Sequence, residues 1–140
     1  MAQRARRSRS SSVPRGESAV RVHEGSLFAY GTLADARFVA RLLERPVASE
    51  PAELLDFLRV EPVGFAYPVV LESPGERTEG VLYRHLSEED FRRLDGYEGV
   101  GEGLYFRERA RAVAPGAAAD QAQPVWVYLP TERTVARFSR

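Results

Sequence analysis

The segment FAYGTL, Phe28 to Leu33, is where a predicted strand gives way to a predicted helix. The apolar run SLFAY predicts a buried strand, apolar on both faces, that ends at Tyr30. Gly31 and Thr32 then form a turn, in which glycine lets a ligand approach the backbone closely. The first N–H groups of a helix have no acceptor within it, so they can bind a carboxylate or phosphate. The turn from Tyr30 to Leu33 is therefore either a plain connector or an anion-binding loop.

Two stretches of the chain have the period of an amphipathic helix. In DARFVARLLER, residues 35–45, apolar side chains recur four residues apart, and a proline follows. In SEEDFRRLDGYEGV, residues 87–100, Ser87 and Asp90 resemble a capping box at the start of the helix. Gly99 suits the left-handed residue that commonly ends a helix. We therefore expect two main helices.

The remaining apolar or alternating runs predict short strands. Most links between them have hairpin length, and the strongest turn signal is SPGER, residues 73–77. The expected fold class is therefore α+β: a small mixed, mainly antiparallel barrel of five to six strands with two main flanking helices. The strands are expected at residues 26–30, 52–64, 65–73, 78–86, 104–113 and 125–129, and a short closing helix within residues 131–140.

The composition narrows the possible chemistry. The chain has 140 residues, no cysteine and no lysine, so thiolate and Schiff-base catalysis are excluded. His23 and His85 are not spaced as metal ligands, and we expect neither a metal nor another cofactor. The 20 arginines balance 20 acidic residues, which gives the folded part no general attraction to nucleic acid or membranes. No apolar run is long enough to cross a bilayer, and no signal peptide is evident, which favours a cytoplasmic protein.

The amino-terminal segment differs from the rest of the chain. The first 21 residues contain six arginines, a single acidic residue and no aromatic residue. Such a segment buries too little surface to fold alone, so residues 1–23 are expected to form a disordered arm. Residues 24–140 are expected to form one domain. The arm is interpreted as a solvated extension, with weak contact to a polyanion as the alternative.

Glu98 is the candidate acid–base residue. On the second predicted helix it lies on the same face as Phe91 and Leu94, which should point to the core. Burial and the partial negative charge of the helix C-terminus both disfavour a carboxylate there, and so raise its pKa. A carboxyl group with a raised pKa suits proton transfer near neutral pH. Alternatively, the helix unwinds at Gly96 and Glu98 is a surface acid or the ion-pair partner of a core arginine.

A third candidate feature is the sequence YFR. Tyr105 and Arg107 lie on the same face of an alternating strand, where a phenol and a guanidinium together can orient a polar ligand. Arg109 and Arg111 continue that face. The alternative is therefore a solvated arginine stripe without a ligand.

The sequences FAYGTL, AYPVVL, EGVLY, LDGYEGV and YFR, in this order, resemble the gamma-glutamylcyclotransferase-like fold family. The resemblance covers about residues 27–129. It implies a small barrel with a cavity at the first strand–helix turn, where residues 30–33 bind the glutamyl end of the substrate. It also implies that Glu98 acts as acid and base, and Tyr105 and Arg107 match the family's Tyr-x-Arg strand.

The reaction implied by this resemblance is intramolecular and needs no cofactor. The α-amine of a γ-glutamyl compound attacks its own γ-carbonyl, which gives 5-oxoproline and a free amine or amino acid. Two other interpretations remain open. The same cavity on the same fold can serve a non-catalytic protein that binds a small carboxylate, since a fold does not fix a function. The arginine-rich arm can instead be the active part, with the domain as its scaffold.

Overall fold

The structure is a computed structural model that describes residues 25–64 and 68–137. Five strands form a closed barrel in the order β1-β3-β2-β4-β5. β1 and β5 are parallel, and the other neighbours are antiparallel, so the predicted α+β barrel is confirmed. The predicted arm, residues 1–23, lies outside the described residues. The elements are β1 (Leu27–Ala29), α1 (Ala36–Leu43), β2 (Ser49–Val60), β3 (Val69–Tyr83), α2 (Glu88–Glu98), β4 (Tyr105–Val113), β5 (Gln123–Pro130) and α3 (Glu132–Ala136).

The second main helix, α2, begins and ends as its sequence predicts. In α2 the Ser87 side chain accepts a hydrogen bond from the Asp90 N–H, and the Asp90 side chain accepts one from the Ser87 N–H. Gly99 follows the helix with φ +73°. The helix continues past Gly96 to Glu98, so the alternative in which it unwinds earlier is wrong. None of the described helices is long and apolar enough to cross a membrane.

The predicted turn at residues 73–77 does not reverse the chain. Residues 69–83 form one strand, where the sequence predicted two strands separated by a turn. Leu55 pairs with Arg77 and Phe57 pairs with Glu72, so residues 73–76 bulge out opposite a single residue of β2. The turn residues therefore form a bulge, because the apolar runs on both sides of them pair with the same partner strand.

β1 is buried on both faces, as its apolar sequence predicts. Leu27 and Ala29 pack with the helices on the outside of the barrel, in one core cluster. Phe28, between them, points the other way and packs inside the barrel with residues of β2 and β5. Because α2 packs beside this strand, the end of β1 at Tyr30 lies close to the end of α2 at Glu98.

Candidate functional site

A cavity of about 370 Å³ lies where β1 ends and α2 ends. This volume is in the range of pockets that bind small molecules. The cavity contains the predicted turn, Glu98 and Tyr105, so the structure brings these candidates together. Its described lining consists of residues 28–33, Pro68, Tyr97, Glu98, Leu104, Tyr105, Tyr128 and Arg137.

The turn after β1 needs glycine for two reasons. Gly31 has φ +64°, a left-handed conformation that side chains rarely adopt. A Cβ atom there would lie 3.1 Å from Cγ of Pro68, on the segment that leads into β3. Residues Gly31–Ala34 form a single 3₁₀ turn, whose first N–H groups have no acceptor within the turn. The backbone of this turn therefore reaches the cavity without a side chain in the way.

Two tyrosines, the buried Tyr83 and the half-buried Tyr30, fix the position of the turn. The Tyr83 hydroxyl donates to the carbonyl oxygen of Leu33 over 2.7 Å. The Tyr30 hydroxyl donates to the carbonyl oxygen of Tyr128 over 2.8 Å, which joins the turn to β5. These contacts hold the turn on the barrel at both of its ends. A site held in this way is preorganised for a ligand, because the ligand need not order the loop on binding.

Glu98 is a half-buried carboxyl group at the last position of α2. Phe91 and Leu94 on the same face are buried in the core, which confirms the predicted inward orientation. Burial raises the pKa of Glu98 to about 7. Within residues 25–64 and 68–137, its carboxyl group makes no hydrogen bond and no ion pair. A carboxyl group with this pKa can accept and return a proton at neutral pH.

Tyrosine side chains surround Glu98 in the cavity. Burial raises the pKa of Tyr30 well above its ordinary value, and the charge of Glu98 adds to the effect. Burial, the hydrogen bond to Asp95 and the charge of Glu98 likewise raise the pKa of Tyr128. Both phenols therefore stay protonated. Neither of these two phenols can therefore exchange a proton near neutral pH, whereas the carboxyl group of Glu98 can.

Arg107 does not line this cavity, although Tyr105 on the same face does. The Arg107 Nε donates to Asp95 Oδ1 over 2.9 Å. Its guanidinium carbon lies 4.5 Å from the ring centroid of Phe91 and 4.9 Å from that of Trp126. Arg107 thus packs against the side of α2 and lines a separate depression. Its predicted contact with a substrate stays a prediction, and the structure shows it as the partner of Asp95.

Sequence reasoning missed three polar side chains among the described lining of the cavity: Tyr97, Tyr128 and Arg137. Tyr97 precedes Glu98 and packs edge-on against Phe38 of α1, with ring centroids 5.1 Å apart. Its position next to Glu98 in the sequence could have identified it as a lining residue. Tyr128 and Arg137 have no such local signal, because only the closure of the barrel brings β5 and α3 to the cavity.

The sequence matches the family described as "Gamma-glutamyl cyclotransferase, AIG2-like" over residues 27–139. The chain therefore belongs to this family. None of the curated proteins matches the sequence significantly.

Several solved structures share the fold. A protein from Arabidopsis thaliana, At5g39720.1, is 22% identical with a TM-score of 0.66, over 78% of this chain and 70% of that one. A structure titled "Gamma-glutamyl cyclotransferase" is 20% identical with a TM-score of 0.63, over 76% and 66%. An AIG2-like protein from Mus musculus is 20% identical with a TM-score of 0.60, over 76% and 77%. These likenesses confirm the barrel and its helices.

Proposed function

We propose that this protein is a cyclotransferase that acts on γ-glutamyl compounds. The observation that carries the proposal is Glu98, a half-buried carboxyl group in the cavity beside the first turn that has no hydrogen-bond or ion-pair partner among the described residues. Burial of an ionisable group without a described partner is unfavourable for folding, and such groups concentrate at functional sites. Membership of the family supports the same reaction.

In the proposed reaction, Glu98 moves two protons, one after the other, from the attacking nitrogen to the leaving nitrogen. The substrate enters with its α-amine protonated, and the Glu98 carboxylate accepts a proton from it. The free amine nitrogen attacks the γ-carbonyl carbon, so that a new C–N bond closes the five-membered ring. The bond from that carbon to the leaving nitrogen then breaks. Glu98 gives the first proton to the leaving nitrogen, then takes the second proton that the ring nitrogen still carries and passes it to the same leaving nitrogen. The products are 5-oxoproline and a protonated amine, so that atoms and charge balance.

The turn after β1 is proposed to hold the glutamyl end of the substrate. Its first N–H groups suit the α-carboxylate, and Gly31 lets that group come close to the backbone. Backbone donors can also stabilise the charge that develops on the carbonyl oxygen. Since the amine and the carbonyl belong to one molecule, fixing the chain between them supplies a large part of the rate enhancement.

The test is mass-spectrometric detection of 5-oxoproline from a panel of γ-glutamyl amino acids and γ-glutamyl amines. Glu98→Gln keeps the shape of the side chain and removes the base. Glu102→Gln makes the same chemical change on an exposed residue outside the cavity lining, and is the matched control. We expect product from the wild type and the control, and a loss of at least about a hundredfold in Glu98→Gln.

Two results would separate this proposal from the alternatives. Binding of γ-glutamyl compounds without any product would favour a non-catalytic carboxylate-binding protein. If Glu98→Gln still forms product, the protein is a cyclotransferase but Glu98 is not its base.

A further inference from the structure

Arg137 brings a positive charge to the cavity. Of the described lining residues, only Arg137 and Glu98 carry a charged side chain at neutral pH. The Arg137 guanidinium makes no hydrogen bond or ion pair with any other residue in the part of the chain that the structure describes. Arg137 is exposed, whereas Glu98 is half-buried. The cavity thus has an acidic inner part and a basic outer part.

The helix that precedes Arg137 is anchored to the cavity wall. The Thr131 hydroxyl donates to the carbonyl oxygen of Gly103, and the Thr134 hydroxyl donates to that of Leu104, each over 2.7 Å. Thr134 is only 2% exposed, and Leu104 itself lines the cavity. These contacts bind α3 to the segment that follows α2. The position of Arg137 therefore follows from buried contacts of its helix.

We propose that Arg137 binds a carboxylate on the leaving group, so that the preferred substrates are γ-glutamyl amino acids or peptides and not γ-glutamyl amines. The proposal rests on the proposed cyclotransferase function. Within the substrate, the reacting amine must lie at Glu98, and the leaving group extends away from it towards the exposed side. There a guanidinium can take both oxygens of a carboxylate in two parallel hydrogen bonds.

The charge of Glu98 supports the same orientation. A carboxylate on the leaving group would be repelled from the inner part of the cavity, where Glu98 must be ionised to act as a base. Near Arg137 the same group is attracted. Because Arg137 is exposed, this attraction is screened by salt, and the preference should weaken as the ionic strength rises.

The test compares two substrates of nearly equal size, γ-glutamyl-alanine and γ-glutamyl-alaninamide. They differ only in the terminal group of the leaving part, which is a charged carboxylate in the first and a neutral amide in the second. The variants are Arg137→Gln, Arg137→Lys and Arg133→Gln. Arg133 lies one helical turn earlier, contacts the carbonyl oxygen of Glu102 and does not line the cavity, so it controls for a general change in charge.

We expect Arg137→Gln to lower kcat/KM for γ-glutamyl-alanine by about three- to tenfold and to leave the alaninamide within about twofold. Arg137→Lys should retain part of the preference, and Arg133→Gln should retain all of it. An equal loss for both substrates would overturn the proposal, because Arg137 would then hold the glutamyl end. If Arg137→Gln leaves the ratio of kcat/KM for the two substrates unchanged, the proposal is overturned as well.

A binding measurement separates this proposal from the cyclotransferase proposal. Calorimetry of both compounds with Glu98→Gln and with Glu98→Gln/Arg137→Gln needs no turnover. Tighter binding of the carboxylate compound, lost without Arg137, supports the role of Arg137 even if the wild type forms no 5-oxoproline. Equal binding of the two compounds by Glu98→Gln would contradict the role of Arg137, whatever the wild type catalyses.

Discussion

The Tyr128 hydroxyl donates to Asp95 Oδ1 over 2.6 Å, and so joins β5 to α2 one turn before Glu98. The same carboxylate oxygen accepts from Nε of Arg107 on β4 over 2.9 Å. Two adjacent strands of the barrel thus hold the end of the helix that carries Glu98. The hydrogen bonds of Asp95 therefore connect the cavity on one side of α2 to Arg107 on its other side.

The pair of Asp95 and Arg107 should stabilise the fold measurably. Both side chains are 27% exposed, so their interaction is less screened than that of a surface pair. A double-mutant cycle with Asp95→Asn and Arg107→Gln, measured by urea unfolding, should give a coupling energy of about 1–2 kcal/mol. A coupling near zero would show that the two side chains do not hold the end of α2.

Glu98 should make the protein less stable as pH rises. Its pKa is about 7 in the folded chain against the ordinary 4.5. Below the lower value both states bind the proton. Between the two pKa values Glu98 is ionised in the unfolded chain but protonated in the folded one, so the free energy of unfolding falls as pH rises. Above about pH 7 Glu98 is ionised in both states, and the free energy of unfolding falls no further on its account. Glu98→Gln should therefore raise the free energy of unfolding by about 2–3 kcal/mol more at about pH 8 than at about pH 5. An equal gain at both pH values would contradict the burial of this group.

Gly31→Ala should lower activity more than its effect on stability explains. The substitution puts a side chain into a left-handed position and against Pro68, at the proposed contact with the glutamyl end. Gly116→Ala is the matched control, since Gly116 has φ +78°, has no neighbour within 4 Å and does not line the cavity. Each variant should lose about 1–2 kcal/mol of stability. Only Gly31→Ala should lose about tenfold or more in kcat/KM for a γ-glutamyl substrate.

Equal losses in activity for the two glycine variants would contradict a role for the turn in binding. The loss would then reflect folding alone.

Gly80 and Gly96 should respond to alanine in opposite directions. A Cβ atom on Gly80 in β3 would collide with the carbonyl oxygen of Ala29 and come within 2.5 Å of Cζ of the buried Phe28. Gly80→Ala should therefore cost about 3 kcal/mol or more. Gly96 lies in α2 with no neighbour within 4 Å, and alanine there should stabilise the helix by about 0.5–1 kcal/mol. Thermal unfolding of both variants checks this, and a stable Gly80→Ala would contradict the close packing of β1 on β3.

The sequence signals that proved correct are local. The spacing of Phe91, Leu94 and Glu98 placed the carboxyl group on the inner face of α2, because helical period alone relates those positions. The capping residues at both ends of α2 are likewise short-range features.

The features that the sequence did not predict depend on distant contacts. Residues 73–76 of the predicted turn form a bulge, because the runs on both sides of them pair with one partner strand. Arg107 shares a face with Tyr105, yet its guanidinium reaches Asp95, whose position depends on how α2 packs. Arg137 lies about forty residues after Glu98 in the chain. It joins Glu98 at the cavity only because the barrel closes.

The most direct test of the central claim is an NMR titration of the Glu98 carboxyl carbon, set beside the pH dependence of kcat/KM for a γ-glutamyl substrate. The rising limb of that profile reports the pKa of the base in the free enzyme. We predict that Glu98 titrates with a pKa of about 7 and that the rising limb has the same pKa. A Glu98 that titrates near its ordinary 4.5, or a rising limb that is unchanged in Glu98→Gln, would contradict the assignment of Glu98 as the base.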